Sequence, residues 1–218
     1  PLRAVNDVLS RGLKQTLGGI GTMVSQWYMA SELDGATVNM TGTGGGRDVS
    51  DLRQAGAPVP VIFKDFTIDA RTLEASRMMG DGLDVTTATA ASRVVSETLE
   101  SLLVNGGGVQ LNGQALYGYR NHPHRNTDTA TNYGGGDWGT IANVMGTISG
   151  MITAAQLDRH YGPFMIYAAP TQYNQAAFPV YDNTTDTPMA RALRLPQVAG
   201  FEMLPTLQDG EGLLVQMT

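Results

Sequence analysis

The stretch that decides the fold is Pro60–Gly106, PVIFKDFTIDARTLEASRMMGDGLDVTTATAASRVVSETLESLLVNG. With Val59, its first nine residues alternate apolar and polar positions and are rich in β-branched and aromatic side chains, which predicts a strand over Val59–Ile68. Asp69 can accept a backbone N–H at a helix start. Leu73, Met78 and Met79 follow before Gly80 and Gly82 stop that helix. A longer helix comes next, with Asp84 or Thr86 as its cap. Ala88, Ala91, Val95, Leu99 and Leu102 recur on one face at three- and four-residue spacings until Asn105-Gly106 ends it. About 20 residues at ~1.5 Å each make a rod of ~30 Å, the width of a small domain. Other elements can lie on such a spine.

Upstream, Ala36–Thr41 reads as a short strand, and Gly42–Pro58 connects it to the next one. Connections beyond ~12 to 15 residues without structure of their own are uncommon in compact domains and are often functional. This one holds five glycines and the mixed charges Arg47, Asp48, Asp51 and Arg53. Such a hairpin is suited to reaching outside its own domain. At the front of the chain, Leu2, Val5, Leu9, Leu13 and Leu17 share one helical face that Gly18, Gly19 and Gly21 close. That helix either docks on its own domain or serves as an arm on a neighbouring subunit or a guest.

Downstream, Gly106–Gly136 carries turn signals every few residues. Asp137 can cap a helix whose stripe runs Ile141, Met145, Ile148, Ile152 and Ala155, and Gly162-Pro163 closes it. Phe164–Ala168 is a short buried strand. Pro170 and Pro188 suit the first turn of a helix, so helices are expected near Thr171–Phe178 and Met189–Leu195. Phe201–Leu204 and Leu213–Met217 read as strands. The order argues an α+β protein with two lobes sharing one spine.

Composition narrows the function. The 218 residues suffice for one large or two small domains. Charged residues are 16% of the chain, below the ~25% of an average soluble domain, so less surface is obliged to face water. A net charge of -6 disfavours a nucleic-acid binder that works by neutralising phosphates. With no Cys, disulfides, thiol catalysis and zinc-thiolate sites are excluded. Trp138–Leu157 is long enough to span a bilayer but too polar, and Pro1–Leu17 lacks the apolar run of a secretory signal. Pro1 without a preceding Met suggests processing or a cropped chain.

Catalytic signatures are incomplete. GTGGGR, Gly42–Arg47, lacks the G-K-[ST] ending of a phosphate loop and its strand-to-helix setting. His122 and His124 flank Pro123, and His160 is remote, which does not make a metal set. Glu97 with Glu100, or Asp65 with Asp69, could serve as acid and base, but no orienting partner stands near either pair. Glu97 and Glu100 read instead as the solvated or interface side of the spine. GTISG, Gly146–Gly150, departs from G-x-S-x-G and lies within a helix stripe. The expectation is no catalytic centre, no cofactor and no metal.

Pro60–Gly106, GYRNHP at 118–123, the helix of Trp138–Leu157 and FMIYAAPTQYNQ at Phe164–Gln175 resemble, in that order, the major capsid proteins of tailed phages with the Hong Kong 97-like fold, shared with encapsulins. The similarity covers most of 59–218 and is one of order, spacing and character. It implies an N-terminal arm over 1–35, an extended hairpin loop with flanking strands over 36–68, a peripheral lobe with the spine helix over 69–136 and an axial lobe over 137–218. It also implies that a C-terminal peripheral strand is missing from the chain. The implied function is a structural capsid protein whose pentamers and hexamers close an icosahedral shell around phage double-stranded DNA, without sequence-specific binding, in a virion assembled in the bacterial cytoplasm. The alternative is an encapsulin shell holding an enzyme cargo; a small hydrolase using Asp65, Asp69 or the histidine loop is a third reading. Scaffold, portal and decoration proteins are implied partners, and a membrane is not. Candidate inter-subunit contacts are Arg47, Asp48, Asp51, Arg53, Leu9, Leu13, Arg71 and Arg77. Some relatives weld neighbours through a loop lysine. Thr41–Pro58 has none, so no such bond is expected.

Overall fold

The computed structural model describes residues 2–36, 38, 40, 48–80, 83–181 and 185–217. The chain forms α1 (Ala4–Ser10), β1 (Val24–Ala30), β2 (Leu52–Pro58), α2 (Ala70–Met79), α3 (Leu83–Asn105), β3 (Gln110–Leu111), β4 (Gln114–Ala115), α4 (Ile141–Leu157), β5 (Phe164–Ala168), α5 (Pro170–Ala177), α6 (Pro188–Leu193), β6 (Val198–Met203) and β7 (Gly212–Gln216). These elements make a mixed α+β protein of two compact units. One comprises residues 1–15, 62–107 and 117–218, the other 16–61 and 108–116.

The larger unit is organised by β5. It is central in a three-stranded sheet of order β6-β5-β7, parallel to β6 and antiparallel to β7. All five of its residues are buried, as a strand covered on both faces requires. Alternation divides them between two cores. Phe164, Ile166 and Ala168 pack with Val144, Ile148 and Ile152 of α4, and with Trp138, Ala176, Ala192 and Phe201. Met165 and Tyr167 pack with Ala4, Val104, Leu204, Leu207 and Met217. Fully burying an apolar side chain of this size contributes ~1.5–3 kcal/mol, so β5 is the element on which both cores depend.

The helix ends follow local chemistry. Asp69 accepts a hydrogen bond from the Thr72 backbone N–H at 3.3 Å, and Gly80 closes α2 with φ 85°. Pro170 and Pro188 open α5 and α6, and Thr187 accepts from the Ala190 N–H. Three expectations shift. α1 stops at Ser10 instead of running to Leu17, because Gly12 adopts φ 72°. α3 begins at Leu83, so neither Asp84 nor Thr86 stands before its first turn. Thr140, not Asp137, precedes α4; the Asp137 carboxylate instead accepts from the Gly139 N–H within the preceding turn.

The smaller unit holds an antiparallel ribbon in which Val24 pairs with Pro58 and Ala30 with Leu52. Its second hairpin, β3–β4, turns through Asn112 (φ 52°) and Gly113 (φ 76°), a turn that needs a residue tolerant of left-handed backbone. The Gly56 N–H donates to Gln114 Oε1 at 3.2 Å. Here the strand assignments from sequence are corrected. Val59–Ile68 is not a strand: the Val59 N–H donates to Met23 O, and Pro60, having no N–H, ends the ladder. Leu52–Pro58, expected within a structureless connection, is the strand instead. Its partner lies at Val24–Ala30, not at Ala36–Thr41, whose described members 36, 38 and 40 are not strand. Residues 37, 39 and 41 are outside the described residues.

Candidate assembly surfaces

Three of the four mixed charges singled out in the sequence, Asp48, Asp51 and Arg53, lie at or beside the ribbon, and each has a partner in the same unit. Asp48 accepts from the Asp34 N–H at 2.7 Å and from the Val49 N–H at 2.8 Å. The Asp51 N–H donates to Ser31 Oγ, the Ser31 N–H to Asp51 O, and the Ser50 hydroxyl to Ser31 O. Arg53 pairs with Asp51 at 3.3 Å, both ends exposed. Exposed pairs of this kind are worth ~0–1 kcal/mol, so the two charges remain available to another surface. Arg47 lies outside the described residues.

The ribbon's larger resource is apolar. Pairing in register puts Tyr28 with Gln54 on one face, and Trp27 with Ala55 and Met29 with Arg53 on the other. Trp27, Tyr28, Met29 and Leu52 are all exposed. A two-stranded ribbon has no third layer of its own to bury both faces, and isolated ribbons are marginal in water.

α2 shows the same economy in the larger unit. None of its residues is buried, and Met78 and Met79 are 88% and 82% exposed. Phe63 and Phe66 precede it, also exposed. Arg71 is exposed on α2, and Arg77 pairs with Glu74 one turn back at 3.3 Å.

α1 sits on its own unit. Ala4 and Val5 are buried, whereas Leu9 and Leu13 are 52% and 38% exposed. The residue that seats it is Glu100, read from sequence as part of the solvated or interface side of the spine but only 3% exposed and turned onto α1 of its own chain. Its Oε1 accepts from the N–H groups of Arg3 at 3.2 Å and Ala4 at 2.8 Å, and its Oε2 from Val5 at 3.2 Å. A carboxylate there meets the free donors and positive end of a helix start. The Tyr167 hydroxyl donates to Asp7 Oδ2 at 2.8 Å. Burial, then the bond to Asp7, pushes the Tyr167 phenol far above its ordinary value. Burial also raises Tyr119, with the Asp7 and Glu100 charges adding to it. No sequence pattern marks Glu100 for this role; its i+4 neighbour Val104, fully buried, is the one hint that this face turns inward.

The residues weighed for catalysis are dispersed. His122 Nδ1 accepts from the His124 N–H at 3.2 Å in an exposed turn, with the Tyr117 ring edge-on to it. His160 follows α4. Glu97 pairs with Arg93 at 2.7 Å, and Asp69 is the α2 cap. Among the described residues, no group of three or more His, Asp or Glu side chains could hold a metal ion, and no helix is long and apolar enough to cross a membrane. Within GTISG, Gly146 and Gly150 receive the backbone of residues 133–135: a Cβ on Gly150 would meet Tyr133 O, and one on Gly146 would lie 2.5 Å from Gly134 O. Ser149 lines an open cleft of about 590 Å³ beside them, together with Asp128, Asn132 and Thr153.

Residues 3–216 match the model of a family described as a family of unknown function (DUF6260). The chain belongs to this family. No curated protein matches it. Among solved structures, this DUF6260 protein is similar to a chain in the capsid of Myoviridae Phage XM1, with a TM-score of 0.63 and 16% sequence identity, over 90% of this chain and 68% of that one. At that identity the likeness is one of fold, and this DUF6260 chain therefore has a capsid-like α+β fold.

Proposed function

We propose that this DUF6260 protein is the structural subunit of a phage capsid, self-assembling through pentamers and hexamers into an icosahedral shell around double-stranded DNA. The observation that carries this reading is its fold likeness to a phage capsid chain over 90% of its own length. On this reading the ribbon of β1 and β2 is the extended loop, α3 the spine, and the sheet of β5–β7 with α4–α6 the axial lobe. Several features support it. Trp27, Tyr28, Met29, Phe63, Met78 and Met79 are left exposed by the chain's own fold, and obligate interfaces of more than ~2,000 Å² bury such groups. Association would then supply stability that α2 and the ribbon lack alone. A net charge of -6 suits a wall that encloses DNA without gripping it. The reading assigns the chain no enzymatic role.

Electron microscopy of the purified protein, with light scattering, tests it. Closed polyhedral particles are expected, containing nucleic acid when isolated from their source. A monodisperse monomer at high concentration would refute the shell. Particles filled with a folded enzyme would replace the capsid reading with the encapsulin one.

A further inference from the structure

We infer that residues 2–10 form a releasable strap, fastened onto the strap's own chain by the buried carboxylate of Glu100. The inference does not rest on the shell reading. Its basis is the imbalance in what holds the segment. On the apolar side only Ala4 and Val5 are buried, two small side chains. On the polar side three consecutive N–H groups, those of Arg3, Ala4 and Val5, converge on one carboxylate that is itself 3% exposed. The outer bonds are Tyr167 to Asp7 and the Arg3 guanidinium to Met203 O at 3.0 Å, with Glu202 3.9 Å away. Hydrogen bonds to a buried charge are among the strongest a protein makes, and losing their acceptor leaves the buried donors unsatisfied.

The strap is separable from the main core. The cluster of Trp138, Val144, Ile148, Phe164 and Ile166 contains no α1 residue; α1 enters only the second cluster, through Ala4. Lifting it uncovers Val104, Tyr167 and Leu204 but leaves the packing of α4 on β5 intact. The lifted segment carries Leu9 and Leu13 with it, both already part-exposed. Glu100 is thus the positioning residue that decides whether the leading helix stays on its own chain.

Hydrogen exchange on the full-length protein reads this directly, because the amides bonded to Glu100 are themselves the probes. In Glu100→Gln, exchange over residues 2–13 is expected to rise roughly ten- to a hundredfold, the loss of a hydrogen bond to a buried charge, while segments covering α4 and β5 keep their protection. Unchanged exchange at residues 2–13 would overturn the inference. So would a parallel loss of protection in α4 and β5, which would make Glu100 a residue of the global core. Tyr167→Phe leaves Glu100 in place and supplies a second arm: a smaller rise, about three- to tenfold, confined to the same segment is expected, and no rise there overturns the role given to the Asp7 contact.

Discussion

Replacing Gly150 by alanine tests the packing of α4 most sharply, since two effects of opposite sign compete. In a helix interior, Gly→Ala alone stabilises by ~1 kcal/mol through backbone entropy. Here the new Cβ would run into Tyr133 O and lie 2.5 Å from its carbonyl carbon, so that backbone must retreat to reach the 3.4 Å of ordinary contact. It cannot move freely. The Tyr133 N–H is bonded to Thr129 O, Gly134 to Thr131 O and Gly135 to Ala130 O, and Gly146 receives Gly134 O from the adjoining turn of α4. Overpacking against a fixed wall costs ~1–3 kcal/mol, occasionally more; lifting the whole turn off α4 would cost its packing as well. A clash with backbone puts the cost at the upper end of that range, so the net expectation is ~2 kcal/mol of destabilisation, or about 4–8 °C in Tm for a chain of this size. Urea unfolding, run where sedimentation shows a single species, measures it as a fall in midpoint with an unchanged slope. Gly35→Ala is the control, as no atom lies within 4 Å of a Cβ there, and it should stay within ±0.5 kcal/mol. A Gly150→Ala protein as stable as the parent would refute the argument.

Proline at Val95, within α3, removes a backbone hydrogen bond and should cost ~3 kcal/mol or more; circular dichroism and thermal unfolding would show it, and an unshifted Tm would contradict the continuous helix. Arg120 donates to Asn105 Oδ1 at 2.8 Å and to Glu211 Oε1 at 2.5 Å, tying the end of α3 to the β6–β7 connection. Both partners of that ion pair are about a third exposed, so Arg120→Ala should cost a moderate ~1–2 kcal/mol in denaturant unfolding. Tyr167 has a raised phenol, from burial first and Asp7 second. Its contribution is fully present below the unfolded value near 10 and is lost as pH rises above it toward the folded one. Unfolding free energy should therefore fall as pH rises above about 10, and Tyr167→Phe should flatten that slope; an identical slope in the variant would assign the loss elsewhere.

The elements that could be read locally were those whose signals lie within a turn or two. Asp69 and Gly80 bound α2, Pro170 and Pro188 open α5 and α6, the apolar stripe marks α4, and FMIYA is a buried strand, because a cap, a fixed φ or a 3.6-residue period acts on neighbours a few positions away. The ribbon was misread for the opposite reason. Val24, Trp27 and Tyr28 carry β-propensity, but a strand exists only with its partner, and β1 pairs across more than twenty intervening residues. The seat of α1 was further out of reach. Glu100 and Ala4 are 96 positions apart, and a glutamate on a long helix looks the same in sequence whether it faces water or three amides.

GTISG shows the same division. Its glycines were visible and its serine invited a catalytic reading, yet their use depends on Tyr133 and Gly134 arriving against α4 from another part of the chain. Sequence alone determined that these helices form, both ends of α2, the starts of α5 and α6 and the α+β class, since those follow from local backbone and side-chain preference. Tertiary structure decided which strand pairs with which, that Glu100 is buried, and which apolar groups stay uncovered, because each depends on which distant segment excludes water from the residue in question.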